Sequence, residues 1–288
     1  RCFSSEMGKE TIKMHENISQ LKQQADQLRL EVVKMVHDAG DGHPGPCMSA
    51  MDILTCLYFD KLHIDPQNPK DPNRDRFLLS KGHACPALYA ALANKGYFSK
   101  EEYSGLRFLH RILQGHPTMQ KTPGLDMTSG SLGNGLGIAA GMSFAGRYQK
   151  QNYYTYVIMG DGEIQEGSVW EAAMFASHHK LDHLIAFVDN NCWQSGGSID
   201  TCSGVQPIAE KWEAFGWFVQ QIDGHDYEQI LSAIEAAQKN RGRPSMIVAH
   251  TIKGKGLDYM ENDNSWHKRV PTDEQLASAI KQLGGNAQ

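Results

Sequence analysis

Several features that would settle a class at once are missing from this 288-residue chain. There is no apolar run near the ~20 residues needed to cross a bilayer. A formal charge of −5 offers no basic face of the kind that tracks nucleic acid. None of the six cysteines (Cys2, Cys47, Cys56, Cys85, Cys192, Cys202) forms a C-x-x-C pair, which argues against a zinc site or disulfide frame and for free thiols in a reducing cytosol. No internal repeat is present, and the loop-like HIDPQNPKDPNRD at 63–75 is too short for a domain linker. At 40% hydrophobic residues, the expectation is one large globular domain over residues 11–288. Residues 1–10 are expected to be disordered or foreign, because RCFSSEMGKE lacks an initial methionine and its Arg and Ser suit a transit-peptide remnant.

What is present alternates. Helical periodicity covers 11–39, 49–59, 86–96, 132–149, 168–180, 206–215, 226–239 and 272–283, with strands near 77–80, 154–160, 184–190, 217–222 and 245–251. That order predicts an α/β fold, a doubly wound parallel sheet flanked by helices. The polar segment at 253–271 is long enough to read as a functional arm or lid.

The chemistry concentrates after two strands. In YVIMGDGEIQEGSVWEA, Tyr156 to Ala172, an apolar run ends at Gly160, and Asp161 stands between two glycines. Ser168 and Glu171 have the capping-box spacing that opens a helix, so Asp161 falls in a turn at the carboxyl end of a strand, where open α/β sheets collect ligands. LIAFVDNN places Asn191 thirty residues on, about one strand-helix-strand crossover. If the strands are neighbours, Asp161 and Asn191 share a crevice as hard oxygen ligands for Mg²⁺ or Ca²⁺, with a phosphate completing the shell.

Gly160-Asp161-Gly162 followed by Asn190-Asn191 resembles the thiamine-diphosphate motif, in which Asp and Asn hold the metal bridging the cofactor's diphosphate. A second Gly-Asp-Gly, at 40–42, follows a long helical stretch and has no asparagine pair about thirty residues later; it is read as a decoy. Four further strings, DGHPG at 41–45, RFLLSKGHACPALYA at 76–90, GHP at 115–117 and TSGSLGNGLG at 128–137, make the resemblance specific to transketolases over roughly residues 20–285.

The resemblance implies an amino-terminal subunit of a split transketolase. Such a subunit would move a two-carbon ketol unit from a ketose to an aldose, both expected to be phosphorylated, as in the pentose phosphate pathway, with thiamine diphosphate and Mg²⁺ (Ca²⁺ or Mn²⁺ as substitutes). His43, His83, His116 and His267 correspond to substrate-channel histidines, and Glu166 to a carboxylate that reaches across the subunit boundary. His83, Gly130, Leu132, Asp161, Gly162, Glu163, Asn191, Lys253 and His267 match cofactor-contacting positions. Asp161, Asn191 and the Trp193 carbonyl match the metal shell. Trp193 replaces the family's usual aliphatic residue, and Pro46 stands where many members carry a small or hydroxylated residue, so any hydroxyl contact to the diphosphate from there is absent. The pyrimidine-binding and C-terminal domains, with the activating glutamate, are expected on a second polypeptide, in a cytoplasmic heterotetramer with two copies of each chain. The isolated subunit is expected to be inactive. The alternatives are a subunit of a 2-oxo acid dehydrogenase or a deoxyxylulose-phosphate synthase relative, or a non-catalytic paralogue.

GNGLGIAA also satisfies the dinucleotide fingerprint G-x-G-x-x-A, but no strand precedes it and no ribose-reading acid follows. Gly133, Gly137 and Gly141 instead suggest a helix face approached closely by another helix, either within the chain or across a subunit interface. His178, His179 and His183 are assigned to a helix end, where cationic side chains suit the dipole.

Overall fold

The computed structural model describes residues 3–284, with side chains from Glu16 onward; the expectation for residues 1–10 lies outside the residues described in full. Five strands, β1 (Arg76–Leu79), β2 (Thr155–Gly160), β3 (Leu184–Asn190), β6 (Phe218–Asp223) and β7 (Ser245–His250), form one parallel sheet in the order β1-β2-β3-β7-β6. Two short strands, β4 (Trp193–Gln194) and β5 (Gly197–Ser198), make a separate hairpin. Val, Ile and aromatic side chains, stiff at χ1, suit the pleated surface. Because both faces are covered, the central strands are apolar throughout: Tyr156, Ile158, Ile185 and Phe187 pack on one side, Val157, Met159, Ala186 and Val188 on the other.

The helices follow from the winding. The chain steps from β1 to β2, β3 and β6, and α4 (Asn134–Tyr148), α5 (Gly167–His178) and α7 (Ile208–Ala214), each preceding one of those last three strands, share one face. It then reverses from β6 to β7, and α8 (Tyr227–Lys239) packs on the opposite face with α1 (Phe3–Ala39), α2 (Pro44–Cys56), α3 (Cys85–Lys95) and α9 (Asp273–Gln282). Right-handed crossovers require that change of face. A single turn, α6 (Ile199–Cys202), follows the hairpin. Among the described residues, no helix is long and apolar enough to cross a membrane.

Most element boundaries fall where the periodicity put them. The start of α2 does not: it begins at Pro44, with proline in the first turn and His43 as the preceding residue, five positions before the expected 49. Proline at that position is preorganised for a helix start. The capping box expected at Ser168 is also absent. Glu166 is the N-cap of α5 without a side-chain cap, and the Ser168 hydroxyl donates instead to the Gly133 carbonyl (3.1 Å). A capping box does form at Thr272 and Gln275, opening α9.

Nor does the glycine face run as expected. Gly133 lies outside α4 as its N-cap, with φ +82°, a conformation that favours glycine. Gly137 faces Ala172 of α5, 4.0 Å from where a Cβ would sit, whereas a Cβ at Gly141 would meet nothing within 4 Å. The start of α5 also crowds Gly133, where a Cβ would come 2.6 Å from Glu166 and 2.7 Å from Ser168, so the intrachain contact explains Gly133 and Gly137 but not Gly141.

Candidate active site

The crevice opens at the carboxyl ends of β1, β2, β3 and β7. Asp161, directly after β2, is 1% exposed and accepts from the Gly162 amide (2.8 Å) and the Cys192 amide (2.6 Å), so its carboxylate ties the turn after β2 to the one after β3. Burial, reinforced by nearby Asp189, pushes its pKa up to about 7. Asn191 accepts from the Trp193 amide through Oδ1 (3.1 Å), and its NH₂ lies 3.3 Å from Asp189. Asp189, fully buried at the end of β3, is paired with Lys81 and bonded by the hydroxyls of Ser49 (2.6 Å) and Thr251. Burial works against its charge, but Lys81 holds its pKa below the usual range. Glu163 is buried as well and gathers three segments, accepting from the amides of Gly160 (3.1 Å) and Gly133 (3.0 Å) and from the Ser80 hydroxyl.

Beside these carboxylates stands an array of imidazoles. His43 lies 5.4 Å from His83, 5.6 Å from His267 and 6.5 Å from His116 between ring centroids, and His83 lies 5.1 Å from His267. Burial first, then neighbouring cations, lowers His43 to about 4 and His267 to about 3; His83 and His116 are lowered too. All four are therefore neutral at pH 7. The Lys253 ammonium, fully buried, donates to Asn264 (2.7 Å) and to Nδ1 of His267 (2.9 Å), which puts the imidazole proton on Nε2. Burial, with Lys81 nearby, lowers Lys253 to about 8. Gly130, at φ +144°, lies where a Cβ would come 3.3 Å from the His116 ring.

A cavity of about 280 Å³ joins the two groups; Lys81, His83, Asp161, Asn191, Lys253 and His267 line it, with Leu132, Gly162, Glu163, Glu166 and Trp193 also on its wall. His43, His116 and Gly130 are not part of that lining; they belong to the imidazole array beside it. The model of the family "Transketolase, thiamine diphosphate binding domain" matches residues 20–288. The chain is 45% identical over 270 residues to the 6-deoxy-6-sulfo-D-fructose transketolase subunit SqwG of Clostridium sp. (strain MSTE9), covering 94% of this chain and 98% of that one. It belongs to the transketolase family. One subunit of the apulose-4-phosphate transketolase of Phocaeicola vulgatus is 40% identical, with 92% and 94% of the two chains covered. Against longer transketolases the chain spans under half: it covers 42% of the Homo sapiens transketolase at 39% identity, and 43% of the Campylobacter jejuni crystal structure at 33% identity and a TM-score of 0.88.

The residues fit the cofactor this transketolase domain is named for. Two buried polar atoms, Nδ1 of His43 in the imidazole array and Oγ of Ser129 against Gly82, have no partner among the described residues, as expected where a polar ligand belongs. Among the described residues Lys253 has no carboxylate in ion-pair range, so it is a cation awaiting an anion, and Asp161 has no cation. No trio of His, Cys, Asp or Glu among the described residues forms a metal site. A hard cation would therefore take Asp161, the Asn191 amide oxygen and a backbone oxygen, with phosphate supplying the remainder.

Two members of the site escaped the sequence reading. Lys81 and Asp189 form a buried pair across 108 residues of sequence, and a lysine in a glycine-rich string reads as solvated until topology brings its partner to it. His183, assigned to a helix end, instead stacks on Tyr154 at 4.5 Å; His178 and His179 do close α5. The five described cysteines are free thiols, as read from the spacing.

Proposed function

We propose that the chain is the diphosphate-binding component of a two-component transketolase of the cytosol. It would transfer a two-carbon ketol unit from an anionic ketose to an aldose, with thiamine diphosphate and Mg²⁺. A second polypeptide, carrying the pyrimidine-binding and C-terminal domains, completes the site, with two copies of each chain in the assembly. The observation that carries this reading is a single cavity in which Asp161 and Asn191, at adjacent strand ends, face the unpaired Lys253 and open onto neutral imidazoles.

In this reading Asp161, Asn191 and the Trp193 carbonyl hold the metal, Lys253 and His83 face the diphosphate, and Gly130, Leu132 and Gly162 leave room for it. When bound, thiamine diphosphate supplies the electron sink for breaking a carbon–carbon bond beside a ketone. The chain's own contribution is proton handling. A neutral imidazole can donate to a developing alkoxide and take the proton back, and His267, holding its proton on Nε2, is already set as a donor. His43 and His116 extend the array, and Glu166, exposed on the rim, faces the partner subunit. A 2-oxo acid dehydrogenase component would share Asp161 and Asn191, but four clustered imidazoles suit a polyhydroxylated substrate.

The test is ketol transfer by the purified 288-residue chain, alone and mixed with a second subunit, using a panel of phosphorylated and sulfonated ketoses, the classes named for the two subunit relatives. Transfer is expected only in the mixture. Turnover by the chain alone would overturn the two-component reading.

A further inference from the structure

Lys253 reaches the cavity from the segment that leaves β7, and that segment is pinned one amide at a time. The Thr251 amide donates to the Asn190 carbonyl (3.1 Å), and the Gly254 amide to the Gly45 carbonyl (3.2 Å). Between them, the Ile252 amide has a side-chain acceptor: Nε2 of His225, at 2.8 Å. His225 sits in the turn after β6, and its other nitrogen, Nδ1, lies 2.7 Å from the carboxylate of Asp52 on α2.

The chemistry of the two neighbours leaves the ring one state. A backbone amide can only donate. Asp52, 3% exposed, also accepts from Arg29 (2.6 Å) and from the Tyr227 hydroxyl (2.5 Å). Burial works against its charge, yet Arg29 and the bonds from His225 and Tyr227 hold its pKa below the usual carboxylate range, so it only accepts. His225 must then be neutral, with its proton on Nδ1 and a lone pair on Nε2. Asp52 itself is anchored to α1 through Arg29 and to α8 through Tyr227.

We propose that His225 is a positioning residue for Lys253. Asp52 fixes the tautomer, the tautomer supplies the acceptor, and the acceptor fixes the backbone of Ile252, one residue before the lysine that faces the anion. This rests on the diphosphate reading of the cavity given above. His225 never touches that cavity; its effect passes through the main chain.

Two conservative substitutions separate its two nitrogens. Asn presents its amide near the place of Nδ1 and can still bond Asp52, but leaves the Ile252 amide without an acceptor. Gln reaches the place of Nε2 and can restore one. On the full chain assembled with its second subunit, with Mg²⁺ and thiamine diphosphate, calorimetry should show affinity about 10-fold weaker for His225→Asn, the size of effect seen when an outer partner of a ligand is lost. His225→Gln should stay within about threefold of the parent. Hydrogen exchange at Ile252 should quicken in the Asn variant and recover in the Gln variant. Equal affinity and exchange in His225→Asn and the parent would overturn the proposal, as would equal losses in both variants. Ring-nitrogen NMR of the unsubstituted chain gives a check independent of folding, since a proton on Nε2 of His225 rules the arrangement out. If the parent chain fails to bind the cofactor even when assembled with its second subunit, the diphosphate reading falls, while the exchange and NMR results still decide the part played by His225.

Discussion

The chain contains Gly-Asp-Gly twice, and the two copies have opposite fates. Gly40-Asp41-Gly42 follows α1, with Gly40 at φ +64° as the helix ends. The Asp41 side chain, 39% exposed, holds Arg107 (2.9 Å) and Lys268 (3.6 Å). Gly160-Asp161-Gly162 follows a buried parallel strand, and its aspartate is closed off from water and takes two backbone amides. The tripeptide carries little meaning by itself. A strand end between two others delivers amides and excludes solvent, whereas a helix end leaves the carboxylate to mobile cations at the surface. Yet the first copy is not idle, because Arg107 and Lys268 are among the cations that lower His43. Asp41 thus tempers the edge of the array whose floor Asp161 supports.

Substitution should pull the pair apart. Asp161→Ala is expected to weaken Mg²⁺-dependent thiamine diphosphate binding by at least about 100-fold, since it removes the only side-chain anion proposed for the metal shell. Asp41→Ala should leave the dissociation constant within about threefold, and equal calorimetric losses in the two variants would erase the contrast. Comparable in size, His83→Ala and His116→Ala should lower turnover of the assembled enzyme by ~10²–10⁴-fold, the usual worth of a positioned proton donor, with cofactor affinity little changed for His116→Ala, which lies outside the cavity lining. Full activity on every donor would make either histidine a bystander.

Acid provides a third comparison. His43 and His267 titrate near 4 and 3 in the folded chain, against about 6.5 when unfolded, so the unfolded state takes up protons first as pH falls. Their contribution to stability is present above about pH 6.5 and is lost progressively toward pH 4 and 3. Thermal melts of the double variant His43→Asn, His267→Asn should show a shallower fall from pH 7 to 4 than the parent, and parallel curves would count against buried neutral imidazoles. The smallest effect belongs to the exposed copy: Asp41→Ala should cost no more than about 1 kcal/mol in urea denaturation, the usual worth of a surface ion pair.

Much of this contrast could be read from the residues alone. An apolar run stopping at Gly160, a second one ending at Asn190-Asn191 and a crossover's length between them placed Asp161 and Asn191 side by side, and the strands do pair, Gly160 opposite Asp189. Period and punctuation are local properties, so the five main strands and most helices were visible. The two-residue hairpin β4–β5 was not, because two residues carry no period. The start of α2 was hidden because Pro44 sits inside a string that reads first as a ligand motif. The Lys81–Asp189 pair and the Asp52–His225 contact lay beyond reach for a deeper reason: buried polar partners are chosen by topology, and these join segments 108 and 173 residues apart.

The register of the sheet also says when the site comes into being. The first β2–β3 partners, Thr155 and Leu184, are 29 residues apart, and the first β6–β7 partners, Phe218 and Ser245, are 27 apart. Joining the two units pairs Ile185 with Ser245 across 60 residues, and adding β1 pairs Arg76 with Thr155 across 79. Closing the longest of these loops rather than the shortest costs about 1 kcal/mol more in chain entropy. The strand–helix–strand units at 155–190 and 218–250 are thus the expected early structures, with β1 docking last. Since β1 delivers Lys81 and His83, a chain caught before that step would hold Asp161 and Asn191 in place beside an Asp189 without its cation. Pulse-labelled hydrogen exchange should find β2, β3, β6 and β7 protected before β1, so that Asp189 acquires its cation only as folding ends.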